Sequence, residues 1–253
     1  MGITEARGII TREVKYGDTS RILTVLTQEL GKISVLASGV RTNKSGLLAA
    51  TQLFSYVSLQ LFQGRSKSLY KINSGEILEA FSPIRESLER MAYAAYFCDI
   101  ANYVVQEEAP EPEQLSLLLN SLFMLSQEKA PYEQIKAVFT FRTLAIAGLL
   151  PELSICGICG RKGEISYLDL RSGCALCSVC GEKKQSGAVH TGEAVLQAAA
   201  YISLAEPKRI FSFQLPEHTL LYLSELGDCC IEHWLEHKFQ TLDYLKQIKA
   251  LKG

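Results

Sequence analysis

The chain has 253 residues, 47% of them hydrophobic and 21% charged, with a formal net charge of -1. That length suits one large domain or two small ones, at the usual ~100–200 residues per domain, and the balance excludes wholesale disorder. Apolar runs such as 144–150 fall far short of the ~20 residues a membrane span needs. Glu5 and Arg7 stand where a signal peptide would carry its apolar segment, so the expectation is a soluble, cytoplasmic protein. Eight cysteines are present, and five of them fall between Cys156 and Cys180, the clustering of a metal site rather than of a disulfide framework.

Residues 1–80 hold ten Lys/Arg against six Asp/Glu. From Leu30 to Gly75 there are six cations, Lys32, Arg41, Lys44, Arg65, Lys67 and Lys71, and no acid. A positive N-terminal module in a near-neutral chain points to an anionic ligand, nucleic acid first among them. A solvated basic surface is the plainer alternative.

The same 80 residues read as short strands between turns. Residues 6–14 are β-branched and partly alternating, and Tyr16-Gly17-Asp18 turns the chain. Residues 20–27 resume the pattern, Leu30-Gly31 breaks it, and 32–37 continue it. Residues 55–62 alternate cleanly, 63–66 turn, and 69–78 supply a fifth strand. Five strands with short turns predict a small closed β-barrel, with 39–53 as its one long connection. After Pro83 the period becomes helical: 84–108, 113–127, 131–149, 217–237 and 240–251 read as helices, and Thr191 stands as an N-cap for one running to Leu204. The expected class is α+β, a barrel over 1–80 and a helical domain over 81–253 with a cysteine-rich module at about 152–187.

Two units, Cys156-Gly157-Ile158-Cys159-Gly160 and Cys177-Ser178-Val179-Cys180-Gly181, repeat one pattern. Two residues between cysteines let both thiolates converge on one tetrahedral ion, and the trailing glycine permits a turn whose N–H groups face sulfur. Joined by a hairpin near 165–170, they predict one structural zinc held by Cys156, Cys159, Cys177 and Cys180. Four thiolates fill the shell and leave no open catalytic position. Cys174, three residues before Cys177, offers an alternative pair; Cys177 and Cys180 are preferred because that pair carries the matching glycine.

The catalytic candidates are weak. The stretch from Gly39 to Ser45 lacks a P-loop's second glycine before Lys44 and has no βαβ context. His233 and His237 lie four apart without an obvious third ligand. Cys98, Cys229 and Cys230 read as small core residues, and Glu107, Glu108, Glu111 and Glu113 as a solvated helix break. The expectation is a non-enzyme. Tyr56 and Tyr70 are candidate base-stacking residues on the barrel.

Several stretches carry a family likeness. Gly8-Ile9-Ile10, Tyr16-Gly17-Asp18 leading to Arg21 and Thr27, Gly31-Lys32, Gly39-Val40-Arg41 and Lys44-Ser45 resemble the RecO family of recombination mediators. Phe141-Arg142, then Gly148-Leu149-Leu150-Pro151 into Cys156, is similar to that family's entry into its zinc module; Cys174 departs from it, where a second glycine is usual. The resemblance spans nearly the whole chain. It implies an OB-fold N-terminal domain and a non-enzymatic role in bacterial DNA repair, in the cytoplasm at the nucleoid. It further implies binding of single- and double-stranded DNA, strand annealing, contact with single-strand-binding protein, and RecA loading together with RecR. An acidic, apolar-ended tail on single-strand-binding protein would suit Arg142, flanked by Phe139, Phe141, Leu144 and Ile146. The competing reading is a zinc-ribbon adaptor whose barrel binds RNA or protein.

Overall fold

The computed structural model describes residues 2–39, 47–63, 69–184 and 187–251. The chain divides into two compact units, residues 1–127 with 239–253, and residues 128–238.

Alternation builds the first unit. Its strands are β1 (Ile3–Tyr16), β2 (Ser20–Thr27), β3 (Gly31–Ala37), β4 (Tyr56–Gln63) and β5 (Leu69–Glu79). They close into a barrel in the order β1-β2-β3-β5-β4, antiparallel throughout except for β3 beside β5. This is the small closed barrel that the turn spacing predicts, and it is OB-like, as the family resemblance implies. Every second side chain points inward: Leu23, Val25, Ile33, Val35, Val57, Leu59 and Leu61 fill the interior, joined by Tyr70 and by Ala50 from the single turn α1 (Leu47–Ala50). A register shift in β1 between Ile10 and Arg12 singles out Thr11, whose hydroxyl meets the Asn102 side chain at 2.7 Å.

The helices of this unit are α2 (Ser82–Arg85), α3 (Leu88–Val104) and α4 (Pro112–Ser126). The expected single helix over 84–108 is therefore two, because Ser87 takes extended backbone and its hydroxyl accepts from Arg90 N, opening α3 as a cap. Past Val104 the chain bridges to the barrel, Glu108 N donating to Lys32 O at 3.1 Å.

The second unit holds α5 (Tyr132–Ile146), then β6 (Ile165–Asp169), β7 (Cys174–Cys177), α6 (Ser178–Lys183) and β8 (Ala188–His190), then α7 (Glu193–Leu204) and α8 (Glu217–Trp234). Helices α5 and α8 approach closely at Gly227, where a Cβ would stand 2.4 Å from Thr140 Oγ1. Between them Lys136, only 3% exposed, pairs with Asp228 at 2.5 Å and with Glu133 at 3.6 Å. Thr191 does not cap α7. Gly192 occupies that position, and Thr191 Oγ1 instead donates to Ser166 O, tying the helix start to β6. The last helix, α9 (Gln240–Ala250), belongs to the first unit: Phe239 sits edge-on to Tyr96 and Tyr103, and Thr241 donates to Asp99.

Candidate functional site

The cysteine insert folds around its own hairpin. β6 pairs with β7 and with β8, giving a three-stranded sheet ordered β7-β6-β8. The first knuckle precedes this sheet and the second follows β7 directly into α6. The Sγ atoms of Cys156, Cys159, Cys177 and Cys180 all lie within 4.8 Å of one another, and Cys159 and Cys177 stand 3.8 Å apart. A tetrahedral ion with bonds of about 2.3 Å spaces its sulfurs by about 3.8 Å, so the donor set and its size suit a thiolate-loving divalent metal. Cys174 lies outside this group, its side chain packed against Gly157 on the back of the first knuckle.

The two trailing glycines serve different ends. Gly160 has φ +70°, the turn geometry expected. Gly181 lies within α6 and is needed for space, since a Cβ there would stand 2.3 Å from the Tyr167 ring. Burial raises the Cys156 thiol, yet the N–H groups of Cys159, Cys177 and Ile158 outweigh it and draw the group down to about 6. Burial and hydrogen bonding to Cys177, Cys159 and Cys156 push Cys180 up to about 12. Backbone N–H groups thus favour a negative sulfur at Cys156.

A second polar centre holds the far end of the hairpin. The buried Asp169 carboxylate accepts from Arg171 N at 3.0 Å, Ser172 N at 3.1 Å, Ser172 Oγ at 2.7 Å and Lys184 Nζ. Against the opposing effect of burial, the bonds from Lys184 and Ser172 hold it well below the usual carboxylate range. Trp234 Nε1, from the end of α8, donates to Leu170 O at 3.1 Å, and Tyr222 OH donates to His190 O at 3.1 Å. None of these residues is marked by a short motif; an aspartate three residues before a serine in a turn is their faint sequence signature.

On the barrel, Lys71 is exposed on β5. Lys32 Nζ donates to the Asn102 carbonyl at 2.7 Å, placing its charge at the C-terminus of α3. Arg41, Lys44, Arg65 and Lys67 lie outside the described residues, as does nearly all of the P-loop-like stretch. Tyr70 is 8% exposed and belongs to the barrel core, and Tyr56 is half-buried. Among the described barrel residues the exposed aromatic is Tyr16, 56% exposed, which the strand pattern does not single out.

Elsewhere the structure resolves the remaining candidates. Arg142 is half-buried and donates to the carbonyls of Ile202 and Ser203 at the end of α7. Helix α8 stops at Trp234 and Glu236 takes a positive φ, so His233 and His237 do not share a helical face. Cys98 and Cys230 are buried, with burial raising both thiols, whereas Cys229 is exposed rather than in the core. Glu107, Glu108, Glu111 and Glu113 are all exposed. No helix among the described residues is long and apolar enough to cross a membrane.

Barrel and cysteine cluster together define a class, an OB-like barrel protein whose helical body carries a ribbon-like, metal-competent insert. Residues 1–81 match the family Recombination protein O N terminal, and residues 85–243 match Recombination protein O C terminal. The chain is similar to the DNA repair protein RecO of Acetivibrio thermocellus, 37% identical over 254 residues covering all of both chains. It is 28% identical to that of Symbiobacterium thermophilum over the whole of both, and 29% identical to that of Bacillus subtilis over 99% of this chain and 96% of that one. The chain belongs to the RecO family of DNA repair proteins.

Proposed function

We propose that this chain is a non-enzymatic recombination mediator. It binds single- and double-stranded DNA through the barrel of residues 1–80, anneals complementary strands, engages single-strand-binding protein, and acts with RecR in loading RecA. The observation that carries this reading is the closed barrel, whose stretch from Leu30 to Gly75 has six cations and no acid. Phosphate contacts from Arg41, Lys44, Arg65, Lys67 and Lys71, with Lys32 nearest the helical layer, give binding that tolerates any sequence, as annealing requires.

The cysteine-rich insert carries one structural zinc on Cys156, Cys159, Cys177 and Cys180. The ion supplies a cross-link between the two knuckles, and these residues gather around it only in the folded insert. Arg142 is the proposed contact for an acidic, apolar-ended tail, sharing its guanidinium with the last turn of α7.

The test is a strand-annealing assay with complementary oligonucleotides coated by single-strand-binding protein. Acceleration by the wild-type chain and its loss in Arg41→Glu/Lys44→Glu support the reading. Wild-type annealing in that double variant removes the assigned connection from the DNA interface. Failure of the wild-type chain to anneal favours the adaptor alternative.

A further inference from the structure

Helix α4 turns one face toward the barrel of its own unit. Pro112, Leu115, Ser116 and Leu119, three and four residues apart along it, meet Tyr56 at the start of β4 around a groove of about 230 Å³. An apolar cavity of about 150 Å³ already admits benzene, so this groove has room for a side chain from outside. Leu115 is buried and Tyr56 and Leu119 are half-buried, which makes the floor apolar, while Ser116 is exposed at the rim. Beside the groove the outer side of α4 runs through Glu113, Ser116, Asn120 and Phe123, a stripe of about 15 Å at 1.5 Å per residue. It begins at a carboxylate and ends at a ring that is 41% exposed.

The charge around this groove has one sign. Between Arg90 and Lys129 the chain carries six acids, Asp99, Glu107, Glu108, Glu111, Glu113 and Glu128, and no Lys or Arg. Glu107, Glu108, Glu111 and Glu113 are exposed, and among the described residues none of their carboxylates has an ion pair. Lys32, whose backbone bridges to Glu107, sends its ammonium to the Asn102 carbonyl instead. Glu111 stands at the start of α4 without capping it, so its side chain is not spent on the helix. Unneutralised carboxylates repel phosphates, which excludes nucleic acid from this face. A small cation alone would make no use of an apolar floor and an exposed ring. The complementary ligand is cationic at one end and apolar along one side, and a basic amphipathic helix has that form.

We propose that the groove between α4 and the barrel docks a basic amphipathic helix of a partner protein. One apolar side chain of that helix enters against Tyr56, Leu115 and Leu119, another lies on Phe123, and its Lys or Arg side chains meet Glu111 and Glu113. Three helical turns, at 5.4 Å each, match the length of the stripe. The site adds a protein contact to the barrel unit and does not depend on where DNA binds.

The test is fluorescence anisotropy of the full chain with a labelled amphipathic helical peptide of Leu and Lys and with its counterpart of Leu and Glu, melting temperature being measured alongside. The wild-type chain should bind the Leu/Lys peptide and not the Leu/Glu peptide. Glu111→Gln/Glu113→Gln should weaken that binding about 2- to 30-fold, the loss expected for two exposed ion pairs, without lowering the melting temperature. Ser116→Arg, which places a cation at the exposed rim, should abolish it. Glu206→Gln/Glu217→Gln removes as many exposed charges from the second unit and should bind as wild type does. No binding of the Leu/Lys peptide to wild type overturns the proposal. So does wild-type binding by Ser116→Arg, or an equal loss in the two glutamine variants, which would mean that the peptide follows net charge and not the groove. Light scattering tests the other occupant: a dimer of the wild-type chain that Ser116→Arg dissolves would put a second copy on the groove and overturn the proposal as well.

Discussion

Asp169 should hold the cysteine hairpin together through its charge. Its carboxylate closes the turn after β6 by accepting from two backbone N–H groups, a hydroxyl and the Lys184 ammonium, while being almost wholly buried. Hydrogen bonds to a charged acceptor are worth about 1.5–3 kcal/mol each. The two N–H groups sit in an exposed turn, where water refills them, so the turn bonds count at the low end. Asp169→Ala should then cost about 3 kcal/mol, and Asp169→Asn, which keeps the shape but not the charge, about 2 kcal/mol. Trp234 is the chain's sole tryptophan and its indole donates to Leu170 O beside this turn, so its fluorescence reports the hairpin directly. Urea titration followed at Trp234 should show a lower midpoint in both variants. Because Asp169 titrates below its unfolded value of about 3.9, its contribution is present above that pH and fades as pH falls through the folded value. The difference between wild type and Asp169→Asn should shrink in acid below about pH 4. A midpoint in Asp169→Asn equal to wild type at pH 7 would refute the reasoning.

Metal content should separate the five clustered cysteines. Cys156→Ser and Cys180→Ser should lose the ion and melt lower, while Cys174→Ser should keep one per chain by mass spectrometry under native conditions. Lys136→Met should cost about 3–5 kcal/mol, since it removes the cation paired with the buried Asp228 carboxylate, and Lys136→Met/Asp228→Leu should recover much of that loss in thermal unfolding. Arg142→Ala removes a cation from the end of α7 and should cost about 1 kcal/mol. It should also abolish binding of the acidic tail peptide, and unchanged peptide affinity would leave Arg142 a helix-capping residue alone.

What could be read from the sequence follows from where the information is local. A strand's inside-out alternation and the C-x-x-C-G spacing are written over a few residues, so the pattern over 20–27 matches β2 to the residue and the spacing alone picks out the four clustered sulfurs. The departures arise where a distant group decides. Ser87 breaks a helical period by offering a cap, Thr191 yields its capping place because Ser166 O lies within reach, and Gly181 is fixed by a tyrosine fourteen residues earlier in the chain. Lys32 shows the same limit on the functional side. Its charge counts toward a basic stretch in the sequence, but its ammonium is set on the Asn102 carbonyl at 2.7 Å, where it meets the negative end of α3. Net charge along a sequence therefore overstates what a surface can offer to a ligand. The cations to weigh on the described barrel are those that strand alternation turns outward without such a tether. By that criterion Arg12 on β1 and Lys71 on β5, both exposed, move to the front.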